Sequence, residues 1–254
     1  MARTSAIVAV ALAAFSGAMA SAQQNNVQRS SGRAPAAARP DRDPARFEAE
    51  IRAFDDWDRK NSVPREAVLF VGSSSIRMWP TAESFPDIAV INRGFGGSHT
   101  SDVNHFTGRI VLKYAPRVIV FYAGDNDVEA GKTPRQVFED FEAFVRRVQK
   151  RLPETRVVYL PIKPSRARWS KWPQMREVNS RVEELSRADK RVLYVDTATP
   201  MLGADGQPRR ELFLDDGLHL NTNGYGEWTA ALSTVLRELI SGTADRDGRS
   251  HASD

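Results

Sequence analysis

Four short polar segments of the sequence hold the residue types that nucleophilic acyl transfer requires. They are residues 72–75 (Gly-Ser-Ser-Ser), 92–97 (Asn-Arg-Gly-Phe-Gly-Gly), 124–127 (Gly-Asp-Asn-Asp) and 215–219 (Asp-Asp-Gly-Leu-His). Acyl transfer needs a hydroxyl nucleophile, a base for its proton, a carboxylate that orients the base, and donors for an oxyanion. Each segment alone is a weak signal, because short glycine–acid patterns are common in turns. The signal becomes specific only if the fold gathers all four segments at one place.

The elements between these segments predict such a fold. Five apolar runs are typical of buried β-strands: residues 68–71, 88–91, 118–122, 157–162 and 192–195. Because amphipathic helical patterns separate them, we predict a parallel sheet covered on both faces. The expected architecture is α/β: a three-layer α/β/α sandwich with a five-stranded, doubly wound parallel sheet in the flavodoxin-like order 2-1-3-4-5.

Ligands of such sheets bind beyond the carboxyl ends of the strands. Three of the polar segments directly follow a predicted strand, and the fourth precedes the last predicted helix. We therefore expect all four to meet at one edge of the sheet.

Cap signals predict where two of the helices begin. Asp43 and Pro44 fit the N-cap and first helical position, and the apolar stripe of that helix is Phe47, Ile51, Phe54 and Trp57. Residues 133–136 (Thr-Pro-Arg-Gln) have the spacing of a capping box with proline at its first turn.

The four polar segments resemble the sequence blocks of the SGNH hydrolase superfamily, the GDSL-type esterases and lipases. Gly72-Ser73-Ser74 matches the Gly-Asp-Ser block, with Ser73 in place of the aspartate. The glycine of the second block falls on Gly97, the Gly-x-Asn-Asp block is residues 124–127, and the Asp-x-x-His block is residues 216–219. The resemblance spans residues 67–239 with the blocks in the right order, and it implies the SGNH hydrolase fold.

The resemblance also implies a role for each matched residue. Ser74 would attack an ester carbonyl, His219 would take and return its proton, and Asp216 would orient the imidazole. The backbone N–H groups of Ser74 and Gly97, with the side-chain amide of Asn126, would form the oxyanion hole. The implied function is a serine ester hydrolase that cleaves carboxylic (short acyl or acetyl) esters and needs no cofactor and no metal.

Several alternatives stay open at the level of sequence. Ser73, Ser74 and Ser75 are all candidate nucleophiles, although the spacing from Gly72 favours Ser74. Asp127 is interpreted as structural and Asp125 as solvated.

Two rival functions also remain. One is a non-catalytic glycan-binding domain on the same fold. The other is a metal-dependent phosphoesterase, although its ligand set lacks a metal-binding motif. Its candidate ligands are Asp125, Asp127, Asp215, Asp216 and His219.

The ends of the chain differ in composition from the middle. Residues 1–22 have an early arginine, a short apolar run and an Ala-Ser-Ala end, which predicts a cleaved signal peptide and a secreted or periplasmic protein. Residues 23–42 are interpreted as a disordered linker, 43–241 as the hydrolase domain, and 242–254 as a disordered tail. The chain has no cysteine, so disulfides and thiol chemistry are excluded.

Charge and aromatic residues give the remaining expectations about partners. The net charge of +4 comes from interspersed cations and anions, so we expect no nucleic acid partner and no membrane span. Residues 163–172 hold four cations and two tryptophans, and we expect this loop at the rim of the site. The expected partner is a small-molecule or glycan ester, and the cations favour an ester on an anionic carrier. The predicted substrate-binding residues are Arg77, Arg93, Arg166, Arg168, Trp169 and Trp172. A basic loop whose tryptophans cover the core is the competing interpretation, and the sequence leaves the oligomeric state unknown.

Overall fold

The computed structural model describes residues 42–247, with side chains as far as residue 242. The predicted signal peptide, all but the last residue of the predicted linker, and residues 248–254 lie outside the described residues.

A five-stranded parallel sheet forms the centre of the described chain. Its strands are β1 (Val68–Gly72), β2 (Val90–Gly94), β3 (Val118–Tyr122), β4 (Arg156–Tyr159) and β5 (Val192–Tyr194). They lie in the order β2-β1-β3-β4-β5, and every neighbouring pair is parallel. The predicted fold class and strand order are therefore confirmed.

Two strands differ from the predicted apolar runs by two residues or more at a terminus. β2 starts two residues later than predicted, at Val90. β4 stops at Tyr159, three residues before the end of its run. Pro161 explains the second difference, because proline has no N–H to donate to a ladder.

Helices cover both faces of the sheet. The α-helices are α1 (Glu48–Lys60), α2 (Ser74–Arg77), α3 (Thr81–Ser84), α4 (Thr100–Ile110), α5 (Asp125–Glu129), α6 (Pro134–Arg151), α7 (Trp172–Ala188) and α8 (Thr222–Asp247). Short 3-10 helices occupy Pro44–Phe47, Leu112–Tyr114, Trp169–Lys171, Thr199–Met201 and Arg210–Leu212. Within residues 42–247, no helix has both the length and the apolar character needed to cross a membrane.

The helix-start signals act largely as predicted. The Thr133 capping box is present, because Gln136 N donates to Thr133 Oγ1 and Thr133 N donates to Gln136 Oε1. Asp43 Oδ1 accepts from Ala45 N at 2.9 Å, but it caps a 3-10 turn, and the α-helix starts only at Glu48.

Two expectations near the ends of the described chain need correction. The sequence pattern places Trp57 in the buried stripe of α1, but its side chain is 48% exposed. The stripe reaches solvent at this end of the helix, and the guanidinium of Arg93 packs 5.4 Å from the centre of the indole instead. At the carboxyl end, α8 continues to Asp247, so residues 242–247, assigned to a disordered tail, have helical backbone.

The core lies on both sides of the sheet, as the alternation of strand side chains requires. Leu69, Ile119 and Val157 belong to one buried cluster, with residues of α1, α4, α6 and α7. Val68, Val118 and Val158 belong to the other, which α8 supplies with Trp228 and Leu232. Because both faces are buried, the strands are held rigidly and their carboxyl ends form a fixed edge.

Gly72 ends β1 at a point where no side chain fits. Its φ is +143°, and a Cβ atom there would lie 1.8 Å from the carbonyl oxygen of Tyr122 on β3. That oxygen also accepts a hydrogen bond from Ser73 N at 3.0 Å, which directs the chain into α2. The close approach of the two backbones thus fixes where the following serines lie.

We predict that Gly72→Ala destabilises the fold by about 2–5 kcal/mol, the sum of backbone strain and overpacking. The free energy of unfolding, measured by denaturant titration, checks this value. Gly206→Ala is the matched control, because Gly206 also has a positive φ, of +72°, but open space at its Cβ position. It should cost only about 1–2 kcal/mol. Equal losses in the two variants would show that the contact with Tyr122 carries no cost.

Candidate active site

The serine triplet follows the end of β1 at the start of a helix. Ser73 is the N-cap of α2, and Ser74 is its first residue. Ser73 and Ser75 are buried, at 0% and 1% exposure, whereas Ser74 is partly exposed. Because Ser74 lies in the first turn of α2, its N–H has no acceptor within the helix. Of the three serines, Ser74 is the one that presents a hydroxyl to the open edge of the sheet.

The segment Asp216-Gly217-Leu218-His219 folds into a tight turn opposite Ser74. Asp216 Oδ1 accepts from the backbone N–H groups of Leu218 and His219 at 2.8 and 2.9 Å. Leu214 N donates to the carbonyl oxygen of His219 at 2.8 Å and closes the turn. Gly217 takes a φ of +63°, which suits glycine. The turn brings the carboxylate and the imidazole of residues 216 and 219 together.

A chain of hydrogen bonds joins Ser74, His219 and Asp216. His219 Nδ1 lies 2.6 Å from Asp216 Oδ2, and His219 Nε2 lies 3.1 Å from Ser74 Oγ. An ionised carboxylate only accepts, so Nδ1 carries the proton and Nε2 is left to accept one from the serine. This is the geometry of a nucleophile, a base and an orienting carboxylate.

The surroundings of Asp216 keep it ionised. Partial burial raises its pKa, but the hydrogen bonds from the His219 ring and from the N–H groups of Leu218 and His219 outweigh this and lower the pKa to about 2. The carboxylate is therefore charged at any ordinary assay pH.

Gly97 and Asn126 lie on the loops that follow β2 and β3. Gly97 has a φ of +76° and open space at its Cβ position, and its N–H donates to no acceptor in residues 42–247. Asn126 is in the first turn of α5, and its Nδ2 donates to the carbonyl oxygen of Ser98 at 3.1 Å. That bond uses one of the two amide hydrogens. The arrangement leaves donors available for an oxyanion.

The acidic neighbours of Asn126 are both buried. Asp125, interpreted as solvated, is 5% exposed, and this expectation is wrong. Its carboxylate lies 3.3 Å from Lys163 Nζ and 3.2 Å from an Arg168 nitrogen. Burial raises the pKa of Asp125, but these two cations outweigh the burial and leave the pKa below its ordinary value.

Asp127 joins α5 to the start of α4. It is fully buried, and both carboxylate oxygens lie 3.1 Å from the N–H of Thr100. Burial raises the pKa of Asp127 to about 7, against the opposing effect of Lys132, 3.3 Å away. Within residues 42–247, no three His, Cys, Asp or Glu side chains gather as metal ligands do.

The predicted substrate-binding residues do not form one cationic rim. Arg93 is 6% exposed, and its guanidinium contacts Asp58 at 2.5 Å and the hydroxyl of Tyr114 at 2.6 Å. A buried arginine with these partners holds α1 against β2, so its assignment to substrate binding is wrong. Arg77 remains half exposed, pairs with Glu50 at 3.3 Å and lies against Gly96.

The basic loop after β4 is also more buried than predicted. Lys163 is 1% exposed, and the side chain of Arg168 is 15% exposed and paired with Asp125. Trp172 packs into a cluster with Ile162, and Trp169 stacks on it at 6.0 Å. The interpretation that the tryptophans cover the core is therefore the better one. Lys163 and Arg168 are not surface cations.

Arg166 is the predicted loop residue that stays exposed beside the turn. Its Cβ lies next to Gly217, and Ala167 N donates to the Gly217 carbonyl oxygen at 3.1 Å. This contact holds the loop after β4 against the turn that carries His219.

An open apolar groove of about 720 Å³ lies between the start of α8 and two segments, one that follows Ser74 and one that precedes Asp216. Met78 and Leu214 line it and are 40% and 43% exposed. Met78 N donates to the carbonyl oxygen of Ser74, and Leu214 N donates to that of His219. Two residues of the groove wall are therefore hydrogen-bonded to the backbone of Ser74 and His219, although Ser74 and His219 do not themselves line the groove.

Comparison with known proteins agrees with this geometry. The sequence model of the GDSL-like Lipase/Acylhydrolase family matches residues 77–226, more than half of the chain. The chain belongs to this family. The resemblance to the SGNH hydrolase superfamily is thereby confirmed. The matched span of this GDSL-like hydrolase includes Gly97, Asn126, Asp216 and His219 but starts three residues after Ser74, so Ser74 is singled out by its geometry.

Named relatives and solved structures extend the comparison. The chain is 30% identical over 193 residues to the human platelet-activating factor acetylhydrolase IB subunit alpha1, covering 72% of this chain and 80% of the relative. The human alpha2 subunit is 27% identical over 191 residues, or 70% and 79% of the two chains.

Two solved structures share the fold of this GDSL-like hydrolase. A GDSL-like lipase from Bacteroides thetaiotaomicron has a TM-score of 0.63 at 19% identity, over 77% of this chain and 98% of that one. A mutant of a Geobacillus acetyl-xylooligosaccharide esterase has a TM-score of 0.56 at 15% identity, over 70% and 96%.

Proposed function

We propose that this GDSL-like hydrolase cleaves carboxylic esters with a short acyl or acetyl group, using Ser74 as nucleophile. The observation that carries the proposal is the hydrogen-bonded chain from Ser74 Oγ through His219 to Asp216, with distances of 3.1 and 2.6 Å. Such a chain activates a hydroxyl that is otherwise a weak nucleophile.

In this mechanism Ser74 Oγ attacks the ester carbonyl carbon while His219 Nε2 takes the hydroxyl proton. The carbonyl oxygen becomes an oxyanion, which the N–H groups of Ser74 and Gly97 and the amide of Asn126 stabilise. The tetrahedral intermediate then breaks the bond to the alcohol, which leaves with the proton from His219. Water attacks the acyl-enzyme by the same steps and releases the acid.

The groove and the relatives support the choice of substrate class. An apolar groove whose wall includes Met78 and Leu214, each hydrogen-bonded to the backbone of a triad residue, suits the alkyl part of an ester, since burying apolar surface there is favourable. The names of two relatives refer to acetyl groups, one on platelet-activating factor and the other on a xylo-oligosaccharide. We also propose that the protein is secreted or exported to the periplasm, because residues 1–22 have the pattern of a signal peptide.

A panel of p-nitrophenyl esters from acetate to octanoate, assayed beside acetylated polysaccharides, tests the proposal. We expect hydrolysis that is insensitive to a chelator, together with labelling of Ser74 by a fluorophosphonate. Loss of activity with the chelator would favour the metal-dependent phosphoesterase. Glycan binding with neither hydrolysis nor labelling would favour the non-catalytic domain.

The role of Asn126 can be tested separately. Asn126→Ala should lower kcat by about 10²–10³, the usual cost of one oxyanion donor. KM should change little, because the hydrogen bond strengthens only in the transition state. Steady-state kinetics on p-nitrophenyl acetate measure both constants. A change confined to KM would mean that Asn126 positions the substrate instead.

A further inference from the structure

A buried cluster of charges lies directly behind the candidate site and has no part in the steps above. Its centre is Lys163, whose side chain is 1% exposed. Lys163 Nζ contacts Tyr122 OH at 3.0 Å, Ser75 Oγ at 3.2 Å and Asp125 Oδ2 at 3.3 Å. Burying an ammonium group is costly unless it is paired and hydrogen-bonded. These contacts join α2, β3 and α5 at the edge of the sheet where the site lies.

Arg168 extends this cluster towards the site. One of its nitrogens, Nη1, lies 3.2 Å from Asp125 Oδ2 and donates to Asn126 Oδ1 at 3.1 Å. The carboxylate of Asp125 is therefore shared between Lys163 and Arg168, which fixes the guanidinium in place. Arg168 is 15% exposed, so the contact is largely shielded from solvent.

The contacts with Arg168 and with the Ser98 carbonyl oxygen together decide which way the amide of Asn126 faces. A guanidinium has only donors, so the atom it meets must be the amide oxygen. The nitrogen is then directed away from Arg168, towards the Ser98 carbonyl oxygen that accepts from it at 3.1 Å. A flipped amide would present oxygen where the oxyanion develops, and it would repel the negative charge. The positive charge of the Arg168 guanidinium beside Oδ1 also polarises the amide and makes its N–H a stronger donor.

We propose that Arg168 is a positioning residue, which holds the amide of Asn126 as an oxyanion donor and is itself held by the buried Asp125–Lys163 pair. This inference rests on the proposed function, because it takes the role of Asn126 from there. Arg168 acts through Asn126 and does not bind the substrate.

A double-mutant cycle tests the inference. Arg168→Met removes the charge and the donor but keeps an unbranched side chain of similar reach. It should lower kcat on p-nitrophenyl acetate about 10–100-fold, within the cost of losing the Asn126 donor itself, and leave KM within about 2-fold. In the Asn126→Ala background the same substitution should change kcat by less than about 2-fold, because residues that act as a unit are not additive. Arg168→Lys should recover part of the loss.

Arg187→Met is the matched control. It removes an arginine from a surface pair with Glu183 on α7, where the side chain is 68% exposed. We expect its kcat to equal that of the wild type. Asp125→Asn is a poorer test, because it would leave Lys163 buried without its anion.

The possible outcomes separate the inference from the proposed function. Equal losses of kcat from Arg168→Met in both backgrounds, or an effect on KM alone, would overturn the positioning role while ester hydrolysis stood. An unchanged kcat in Asn126→Ala would overturn it as well. Hydrolysis of no ester by the wild type would count against the proposed function instead.

An NMR measurement tests the inference without relying on enzymatic activity. The ¹⁵N–¹H signals of the Asn126 side-chain amide, identified by their loss in Asn126→Ala, should shift and broaden in Arg168→Met. If Arg168→Met does not fold, the same spectrum is recorded for Arg168→Lys, in which we expect a smaller shift of the amide signals than in Arg168→Met. Amide signals identical to those of the wild type would overturn the inference.

Discussion

Ser74→Ala is expected to lower kcat on p-nitrophenyl acetate by at least about 10⁴-fold, since the loss of a serine nucleophile removes the whole covalent route. Fluorophosphonate labelling should disappear with it. The fold should be unaffected, because Ser74 is partly exposed and the hydrogen bonds that shape the turn come from the backbone of its neighbours. Kinetics, labelling and a thermal melt of the same preparation check the three expectations together.

The neighbouring serines provide the controls. Ser73 Oγ is buried and takes part in no hydrogen bond with the described residues, so Ser73→Ala should be close to neutral. Ser75 Oγ is 3.2 Å from Lys163 Nζ, and its loss should cost about 1–3 kcal/mol of stability while most activity remains. Full activity in Ser74→Ala, or its loss in Ser73→Ala, would show that the nucleophile is assigned to the wrong serine.

The fold and the polar edge of the sheet could be predicted from the sequence because local pattern decides them. Apolar runs such as residues 118–122 are buried on both faces, and only a parallel sheet between helix layers buries a strand in that way. The turn at residues 216–219 was also visible, since an aspartate three residues before a histidine can reach both its ring and its backbone N–H. Each of these signals lies within a single short segment of the sequence, so it can be recognised without knowing the tertiary contacts.

The choice among the three candidate serines needed the structure. Three serines of the same type stand side by side, and their sequence separation from Gly72 gives only a preference. What distinguishes them is the direction of each side chain at the start of α2: Ser73 and Ser75 face the interior, and Ser74 faces His219.

The buried charges could not be predicted for a different reason. A basic residue in a loop is usually solvated, and the partners of Lys163 and Arg168 are about forty residues earlier in the chain, at Asp125 and Asn126. Arg93 on β2 likewise meets Asp58 on α1 only in the folded chain, because 35 residues separate them in the sequence. The sequence did indicate where Lys163 lies along the fold. It directly follows the apolar run 157–162, and the residues after such a run lie at the carboxyl edge of the sheet.

The second large effect is expected from Asp216→Asn, which should lower kcat about 10⁴-fold while leaving the turn intact. In the variant, the amide oxygen can still accept from the N–H groups of Leu218 and His219, as Asp216 Oδ1 does. The amide nitrogen then faces His219 Nδ1 and donates to it. The ring proton moves to Nε2, which can no longer accept from Ser74, so the base is lost without loss of structure.

The pH dependence follows from the low pKa of Asp216. Its value of about 2 lies below that of the unfolded side chain, so its charge stabilises the fold above about pH 4. That contribution is lost only as the pH falls towards 2. Asp216 thus stays ionised through an assay from pH 5 to 9, so its carboxylate should contribute no step to the pH profile of kcat/KM in that range. Denaturant titrations against pH check this: a loss of stability between pH 7 and 5 that is absent from Asp216→Asn would contradict the low pKa.

Asp215→Asn is the matched control for Asp216→Asn. It makes the same chemical change at the neighbouring residue, which is exposed. In the proposed mechanism Asp215 has no role, and kcat should stay within about 2-fold of the wild type, as for most surface substitutions. A metal-dependent phosphoesterase would instead need both carboxylates as ligands. Equal losses from the two substitutions, with activity abolished by a chelator, would therefore replace the serine mechanism with the metal-dependent one.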